Sequence, residues 1–201
     1  MLPLKLPYRI ILGSQSPRRV ELLKMMDIEF DIVVSEADEN YPLNISPFIV
    51  PEYLAKKKNE EVWDKLEQEK SNCLVITCDT IVLLPDTLTI LEKPQDENHA
   101  FEIIKQLSGR KHNVISGVCV ATQKENLVFS DITEVQFRDL SHEEIRYYIS
   151  RYKPFDKAGA YGVQEWIGVV GIESVNGSFY NVMGLPTEKL YQVLRNEFSL
   201  K

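Results

Sequence analysis

"CLVITCDTIVLL", residues 73 to 84, is apolar almost from end to end. A strand with one wet face alternates apolar and polar residues. An unbroken apolar run suits a strand covered on both faces, at the centre of a sheet. The exception inside the run is Asp79. A carboxylate in such surroundings is costly unless it is paired, hydrogen-bonded or bound to a metal. One reading places it at a strand end, satisfied by nearby N–H groups. The other makes it a functional group, because perturbed buried carboxylates concentrate at sites.

The elements around this strand read outward from it. Upstream, "YRIILG" (8–13) is a short β-rich run, and the helix after it carries Val20, Leu22, Leu23, Met25 and Met26 at helical spacing. "FDIVVS" (30–35) reads as a second strand and "EADENYPLNISP" (36–47) as a polar loop. Residues 51 to 70 read as a long helix with Leu54, Val62 and Leu66 inside and Lys and Glu outside.

Downstream, "PDT" turns the chain into "LTILEKP", and 96–107 forms a helix with Ala100, Ile103, Ile104 and Leu107 on one side. "SGRKHNVISGVCVAT" and "LVFSDITEVQFRDL" are two long β runs, read as antiparallel neighbours. Ser141 and Glu144 form a capping box for a helix to about Arg151. "KAGAYGVQ" is a glycine-rich bend, "GVVGIESVNG" reads as a strand, and "LPTEKLYQVLRNEF" closes the chain as a helix. Strands alternate with helices around a β-rich middle. The fold class expected is therefore α/β or mixed α+β, a central sheet with helices on its faces, within a single domain over 1–201.

Composition narrows the function. The chain has 201 residues, 44% of them hydrophobic and 26% charged, as in ordinary globular domains. A net charge of −7 argues against a broad nucleic-acid footprint but leaves room for a local basic pocket. No segment reaches the ~18 apolar residues of a membrane helix. Cys73, Cys78 and Cys119 lack metal-type spacing and read as buried small hydrophobes; an odd count fits a reducing cytoplasm. His99, His112 and His142 are scattered and read as surface or structural residues.

One stretch sits against helix electrostatics. In "SQSPRRVELL" (14–23), Ser16 suits an N-cap and Pro17 the first helical position. Arg18 and Arg19 then occupy the first turn, where the helix dipole already supplies roughly half a positive charge. Two cations there imply an anion in front of them. Helix N–H groups and guanidinium forks are both phosphate partners, so a phosphate chain fits. Glu36, Asp38 and Glu39 form an acidic cluster that is either a solvated loop or, with Asp79, the carboxylate set of a Mg²⁺ that keeps its waters and bridges to phosphates. Lys56, Lys57 and Lys58 on the long helix, Lys93 before a proline, and Asp156 with Lys157 at the glycine bend are further candidates. Together these point to metal-assisted phosphoanhydride chemistry on a small molecule. They do not identify the base.

Six motifs in order make the chain resemble the Maf family of nucleoside triphosphate pyrophosphatases: "SQSPRRVELL" (14–23), "CDTIV" (78–82), "EKPQD" (92–96), "LSGRKHNVISGV" (107–118), "DKAGAYGVQ" (156–164) and "NVMGLP" (181–186). The resemblance implies a mixed α/β fold of two lobes around a nucleotide-binding cleft. It implies cleavage between the α and β phosphates of a nucleoside triphosphate with a divalent metal, Mg²⁺ or Mn²⁺. The positions matching the family's functional residues are Ser14, Arg18, Arg19, Glu39, Lys58, Asp79, Lys93 and Gln164, with Asp79 matching the proton acceptor; the carboxylates read above as the metal pair are Glu39 and Asp79. Arg18, Thr80 and Gln164 match positions that separate a dTTP/UTP branch from a 7-methyl-GTP branch, and Thr80 favours the former. Cys78 and Glu92 depart from the family's commoner Ala and Gly. The expected function is hydrolysis of dTTP and UTP, including modified pyrimidine triphosphates, in the cytoplasm. The alternatives are a 7-methyl-GTP or other modified-nucleotide enzyme and a non-catalytic nucleotide-binding regulator of cell division. The partner expected is the nucleotide, with no nucleic acid and no membrane; a homodimer is the one self-assembly allowed for.

Overall fold

A computed structural model describes residues 4–66 and 72–200. In chain order the elements are β1 (Arg9–Leu12), α1 (Pro17–Met25), β2 (Asp31–Ile32), α2 (Val50–Lys65), β3 (Cys73–Leu84), β4 (Thr89–Leu91), α3 (Glu97–Leu107), β5 (Lys111–Ala121), β6 (Asn126–Phe137), α4 (His142–Tyr152), α5 (Trp166–Gly171), β7 (Ile172–Asn176), α6 (Phe179–Met183) and α7 (Thr187–Val193). A π-helical turn over Leu194–Phe198 extends α7. Among the described residues one mixed seven-stranded sheet runs in the order β2-β1-β3-β5-β6-β7, with β4 paired to β3.

The apolar run is indeed the centre of this sheet. Every residue of β3 except Thr80 is buried. β1 pairs with it in parallel, Leu12 opposite Ile76. β5 and β6 are sheet neighbours joined by a four-residue turn in which Thr122 N–H donates to Glu125 O at 2.9 Å. So tight a connection requires antiparallel strands, because a parallel pair needs a crossover.

The chain divides into two compact units, and β3, β5 and β6 contribute residues to both. The first unit comprises the chain up to Asp79, Ser116–Asp131 and the stretch from Gly184 onward. It holds the parallel β2-β1-β3 ladder, α1 and α2. Ile11, Val62, Leu66, Cys73 and Val75 form one of its core clusters, joining α2 to the two central strands. The second unit comprises Thr80–Ile115 and Ile132–Met183, with α3, α4, α5 and the β6–β7 antiparallel pair.

Several sequence expectations change. The second strand is a two-residue ladder, Asp31–Ile32, exposed on both residues, not a strand through Ser35. The long helix is seen to Lys65 with Leu66 as its buried C-cap; its expected continuation over 67–70 lies outside the described residues. On α1 only Leu22 and Leu23 are buried, while Met25 is exposed. The stretch 168–171, read as strand, closes α5, and the strand begins at Ile172. Other expectations stand. The helix read over 96–107 is α3, Glu97–Leu107, with Asp96 as its N-cap accepting from His99 N–H at 2.8 Å. Ser141 and Glu144 make both halves of the capping box. All three cysteines are buried thiols. No described helix is long and apolar enough to cross a membrane.

Candidate active site

The site in the first unit begins with how α2 is registered on the sheet. Thr77 Oγ1 donates to the Ala55 carbonyl at 2.7 Å, and the buried Asn59 amide donates to Val75 O at 3.1 Å and Cys119 O at 3.4 Å. These bonds fix which turn of α2 lies over which residue of β3. Thr77 faces α2, and side chains two apart on a strand share a face. Asp79 therefore faces α2 as well, and Lys58, one turn after Ala55, meets it.

Lys58 Nζ donates to Asp79 Oδ1 in a close ion pair and to Glu39 Oε1 at 3.2 Å. The Lys58 and Asp79 side chains are 14% and 9% exposed, while Glu39 is half exposed. The costly carboxylate in the apolar run is thus compensated by one ammonium, which also reaches the acidic loop. Three consecutive lysines on a helix face outward by default; here Lys56 pairs with Glu60 and Lys57 with Asp38, while Lys58 alone of the three turns to the strand.

The acidic cluster is not simply a solvated loop. Each of its acids reaches a lysine of α2: Glu36 to Lys65 at 3.3 Å, Asp38 to Lys57 at 2.7 Å and Glu39 to Lys58 at 3.2 Å. The loop is anchored further by Glu61, which accepts from Ser35 Oγ and from Glu36 N–H at 2.8 Å. The bond from Lys57, helped by the Asn40 N–H, holds the Asp38 carboxyl below the usual carboxylate range. Glu61 is held low in the same way, mainly by Ser35.

The arginine turn follows β1. Ile10, Ile11 and Leu12 are buried, and the chain turns at Gly13. A Cβ there would lie 2.5 Å from Thr77 Cγ2, so only glycine fits the close approach to β3. Ser14 is buried and its hydroxyl accepts from Ser16 N–H at 3.2 Å. Ser16 occupies the N-cap position in an extended conformation but makes no side-chain cap, contrary to the expectation; Pro17 sits in the first turn as expected. No acidic residue lies in that first turn. Arg19 Nε donates to the Gly184 carbonyl at 2.9 Å, and its Nη1 lies 3.5 Å from Ser14 Oγ. Arg18 is half-buried in the same turn. These residues follow the carboxyl end of β1, beside the middle of the longer strand β3.

Of the candidate residues, the structure brings together Ser14 with Arg19, and Glu39, Lys58 and Asp79 with one another. Thr80 follows Asp79 in β3, Lys93 is exposed in the loop after β4, and Gln164 is exposed after the glycine bend; all three belong to the second unit. Sequence reasoning missed a group there. Lys157, buried, pairs with Asp156 at 2.8 Å and Glu165 at 3.2 Å, and Glu165 also accepts from the buried Tyr148 hydroxyl. Lys157 was legible beside the glycines, but nothing in spacing links it to Tyr148. Among the histidines, His112 is fully buried with Nε2 2.8 Å from Tyr161 Oη; desolvation pushes its pKa down to about 3.

No group of three or more His, Cys, Asp or Glu side chains is assembled as a metal cage among the described residues. The donor set that converges on Lys58 Nζ is two carboxylates. That fits a hard divalent cation of the Mg²⁺ type, which takes one or two carboxylates and completes its shell with water and phosphate oxygens. It does not fit a metal held by protein alone.

Known proteins resemble this chain over nearly its whole length. It is 48% identical over 190 residues to the dTTP/UTP pyrophosphatase of Porphyromonas gingivalis, covering 94% of each chain. It is 46% identical over 190 residues to the protein of that name from Parabacteroides distasonis, covering 94% of this chain and 96% of the relative. The corresponding protein of Flavobacterium psychrophilum is 45% identical over 188 residues. The Maf-like protein family model matches residues 9–197, a span that takes in the arginine turn, the Lys58–Asp79 pair and the glycine bend alike, and the chain belongs to that family.

Proposed function

We propose that the chain is a nucleoside triphosphate pyrophosphatase that hydrolyses dTTP and UTP to the monophosphate and diphosphate. The observation that carries this reading is the single ammonium of Lys58 held between the buried carboxylate of Asp79 and the exposed one of Glu39. The shared ammonium offsets part of the charge of the two carboxylates, which eases the approach of a polyanionic substrate that isolated acids would repel. The names and extent of similarity of the relatives support the same activity.

Arg18, Arg19, the Ser14 hydroxyl and the N-terminus of α1 bind the phosphate chain. Guanidinium forks match phosphate oxygens in pairs, and the helix dipole adds to them. Asp79 takes a proton from the water that attacks the α phosphorus. The bond from that phosphorus to its bridging oxygen breaks, and diphosphate leaves. Lys58 holds the Asp79 carboxylate in one orientation, and Lys93 contributes a further cation to the phosphates. Glu39 and Asp79 would hold a divalent cation, which would supply charge neutralisation for the leaving diphosphate when bound. Thr80 and Gln164 select the base. Buried thiols support the cytoplasm as the place of work.

Diphosphate release from a panel of dTTP, UTP, CTP, dATP, GTP and 7-methyl-GTP, with Mg²⁺ or Mn²⁺, tests the reading. Turnover highest for dTTP and UTP is expected. A chain that binds nucleotide and releases nothing refutes the enzyme, and preference for 7-methyl-GTP refutes the pyrimidine assignment.

A further inference from the structure

The second unit carries a buried charged network that the proposed chemistry does not use. It surrounds the segment from Gly162 to Glu165. Gly162 N–H donates to Tyr148 Oη at 3.0 Å, and Glu165 N–H donates to the Gly162 carbonyl at 3.0 Å. The Tyr148 hydroxyl in turn donates to Glu165 Oε2, and Lys157 Nζ pairs with Glu165 Oε1 at 3.2 Å. Tyr148 is fully buried, and Lys157 and Glu165 side chains are 9% and 18% exposed. Tyr148, Lys157 and Glu165 are buried or nearly so, although Lys157 also pairs with the exposed Asp156, and the one exposed residue from 162 to 165 is Gln164.

Two details place the Gln164 side chain and a strained turn beside the ring. A Cβ built on Gly162 would lie 2.9 Å from the Glu165 carboxyl carbon and 3.2 Å from Gln164 Nε2. The Gln164 amide is therefore folded back over the Gly162 α-carbon, the same residue whose N–H the Tyr148 hydroxyl holds. Lys157 leaves a chain that is strained locally: Gly159 has φ 67° and Ala160 φ 56°. Non-glycine residues in that region persist where surrounding structure over-determines them.

The chemistry of the base gives such a device a purpose. Uracil and thymine share an edge on which N3–H donates and O4 accepts. A carboxamide complements it, accepting from one and donating to the other. Cytosine reverses both roles, and an amide free to rotate would accept either base. Discrimination by hydrogen bonding then depends on holding the amide in place.

Building on the pyrimidine reading above, we infer that Tyr148, Glu165 and Lys157 are positioning residues that clamp residues 162–165 and so fix the Gln164 amide for reading the N3–H/O4 edge of uracil and thymine. Tyr148→Phe removes the hydroxyl that holds both Gly162 and Glu165 while keeping the ring. Gly162→Ala, at a position without positive φ, displaces the Gln164 and Glu165 side-chain ends directly.

The experiment measures kcat and KM for UTP, dTTP and CTP in wild type, Tyr148→Phe, Gly162→Ala, Gln164→Ala and the Tyr148→Phe/Gln164→Ala double variant, with amide hydrogen exchange on the same proteins. Tyr148→Phe is expected to lower the UTP-over-CTP ratio of kcat/KM about tenfold, through KM, and to add nothing once Gln164 is Ala. Exchange over 162–165 should quicken about tenfold in Tyr148→Phe with the rest of α4 unchanged. Equal losses on all three nucleotides, or losses that multiply in the double variant, overturn the positioning role. If wild type releases no diphosphate from UTP or dTTP, the pyrimidine reading fails by itself. The clamp is then judged by exchange alone, and unchanged exchange over 162–165 overturns it.

Discussion

The ammonium of Lys58 on α2 and the carboxylate of Asp79 on β3 form an ion pair whose side chains are 14% and 9% exposed. Glu39 shares the same ammonium from a solvent-facing loop. The two acids share this ammonium, but only Asp79 is buried with it, so removing Lys58 and removing Asp79 should not be equivalent. Lys58→Met takes the ammonium from the buried Asp79 carboxylate, whereas Asp79→Asn leaves Lys58 its bond to Glu39. Breaking a buried pair by removing one partner is strongly destabilising. Chemical denaturation without nucleotide should show Lys58→Met losing about 2–3 kcal/mol and Asp79→Asn about 1 kcal/mol or less. Equal losses would mean that Asp79 has another compensating partner.

The same arrangement predicts a metal effect. Without the Lys58 ammonium the buried Asp79 carboxylate loses its countercharge, and a divalent cation held with Glu39 would replace it. Millimolar Mg²⁺ without nucleotide should raise the Tm of Lys58→Met more than that of wild type, by the linkage of binding to folding. An equal response in the two proteins would remove Glu39 and Asp79 as a cation-binding pair.

How much of this was legible in the sequence depends on the residue. β3 was legible because an unbroken apolar run has few other uses, and Asp79 stood out for the same reason. Which of Lys56, Lys57 and Lys58 points inward was not, because consecutive lysines look alike until Thr77 and Asn59 fix the helix register. The stretch 168–171 reads as strand from its valines, yet it forms the end of α5, with Gly168 N–H bonded to Glu165 O at 2.9 Å. Local propensity lost to tertiary context there. The clamp was invisible, since Tyr148 and Glu165 lie 17 residues apart on different elements. The phosphate role proposed for Arg18 and Arg19 rests on an electrostatic oddity, whereas the roles proposed for Thr80 and Gln164 rest on family resemblance alone.

Arg18→Ala should raise KM and lower kcat together, each by about tenfold, because a phosphate clamp acts in ground and transition states alike. Arg19→Ala should do the same and also lose stability by about 1 kcal/mol, since its Nε holds the Gly184 carbonyl at 2.9 Å. Steady-state kinetics and thermal melts check both. Wild-type kinetics in Arg18→Ala would contradict the anion in front of the helix.

Stability should fall on acidification through His112. Burial lowers its folded pKa to about 3 from an ordinary 6.5, so the unfolded chain binds the extra proton between those values. The contribution is fully present above about pH 6.5 and is lost as the pH falls toward 3, at up to about 1.4 kcal/mol per pH unit. Urea unfolding at pH 7 and pH 5 should show a smaller difference in His112→Asn than in wild type. An unchanged difference would exonerate His112.

Thr80→Gln should erode the preference for dTTP and UTP more than turnover in general, because Thr80 adjoins Asp79 on β3. Relative kcat/KM across the nucleotide panel reads this out. Equal losses on every nucleotide would show that Thr80 serves the chemistry without selecting the base.

Single-turnover diphosphate release from dTTP by Asp79→Asn tests most directly whether Asp79 takes the proton from the attacking water. The substitution keeps shape and one acceptor oxygen and leaves Lys58 paired to Glu39. General-base catalysis is worth ~10²–10⁴-fold, so the rate should fall by at least that range while dTTP binding persists. A rate within about threefold of wild type, with the substituted chain still folded, would contradict the account and leave Glu39 as the remaining candidate carboxylate.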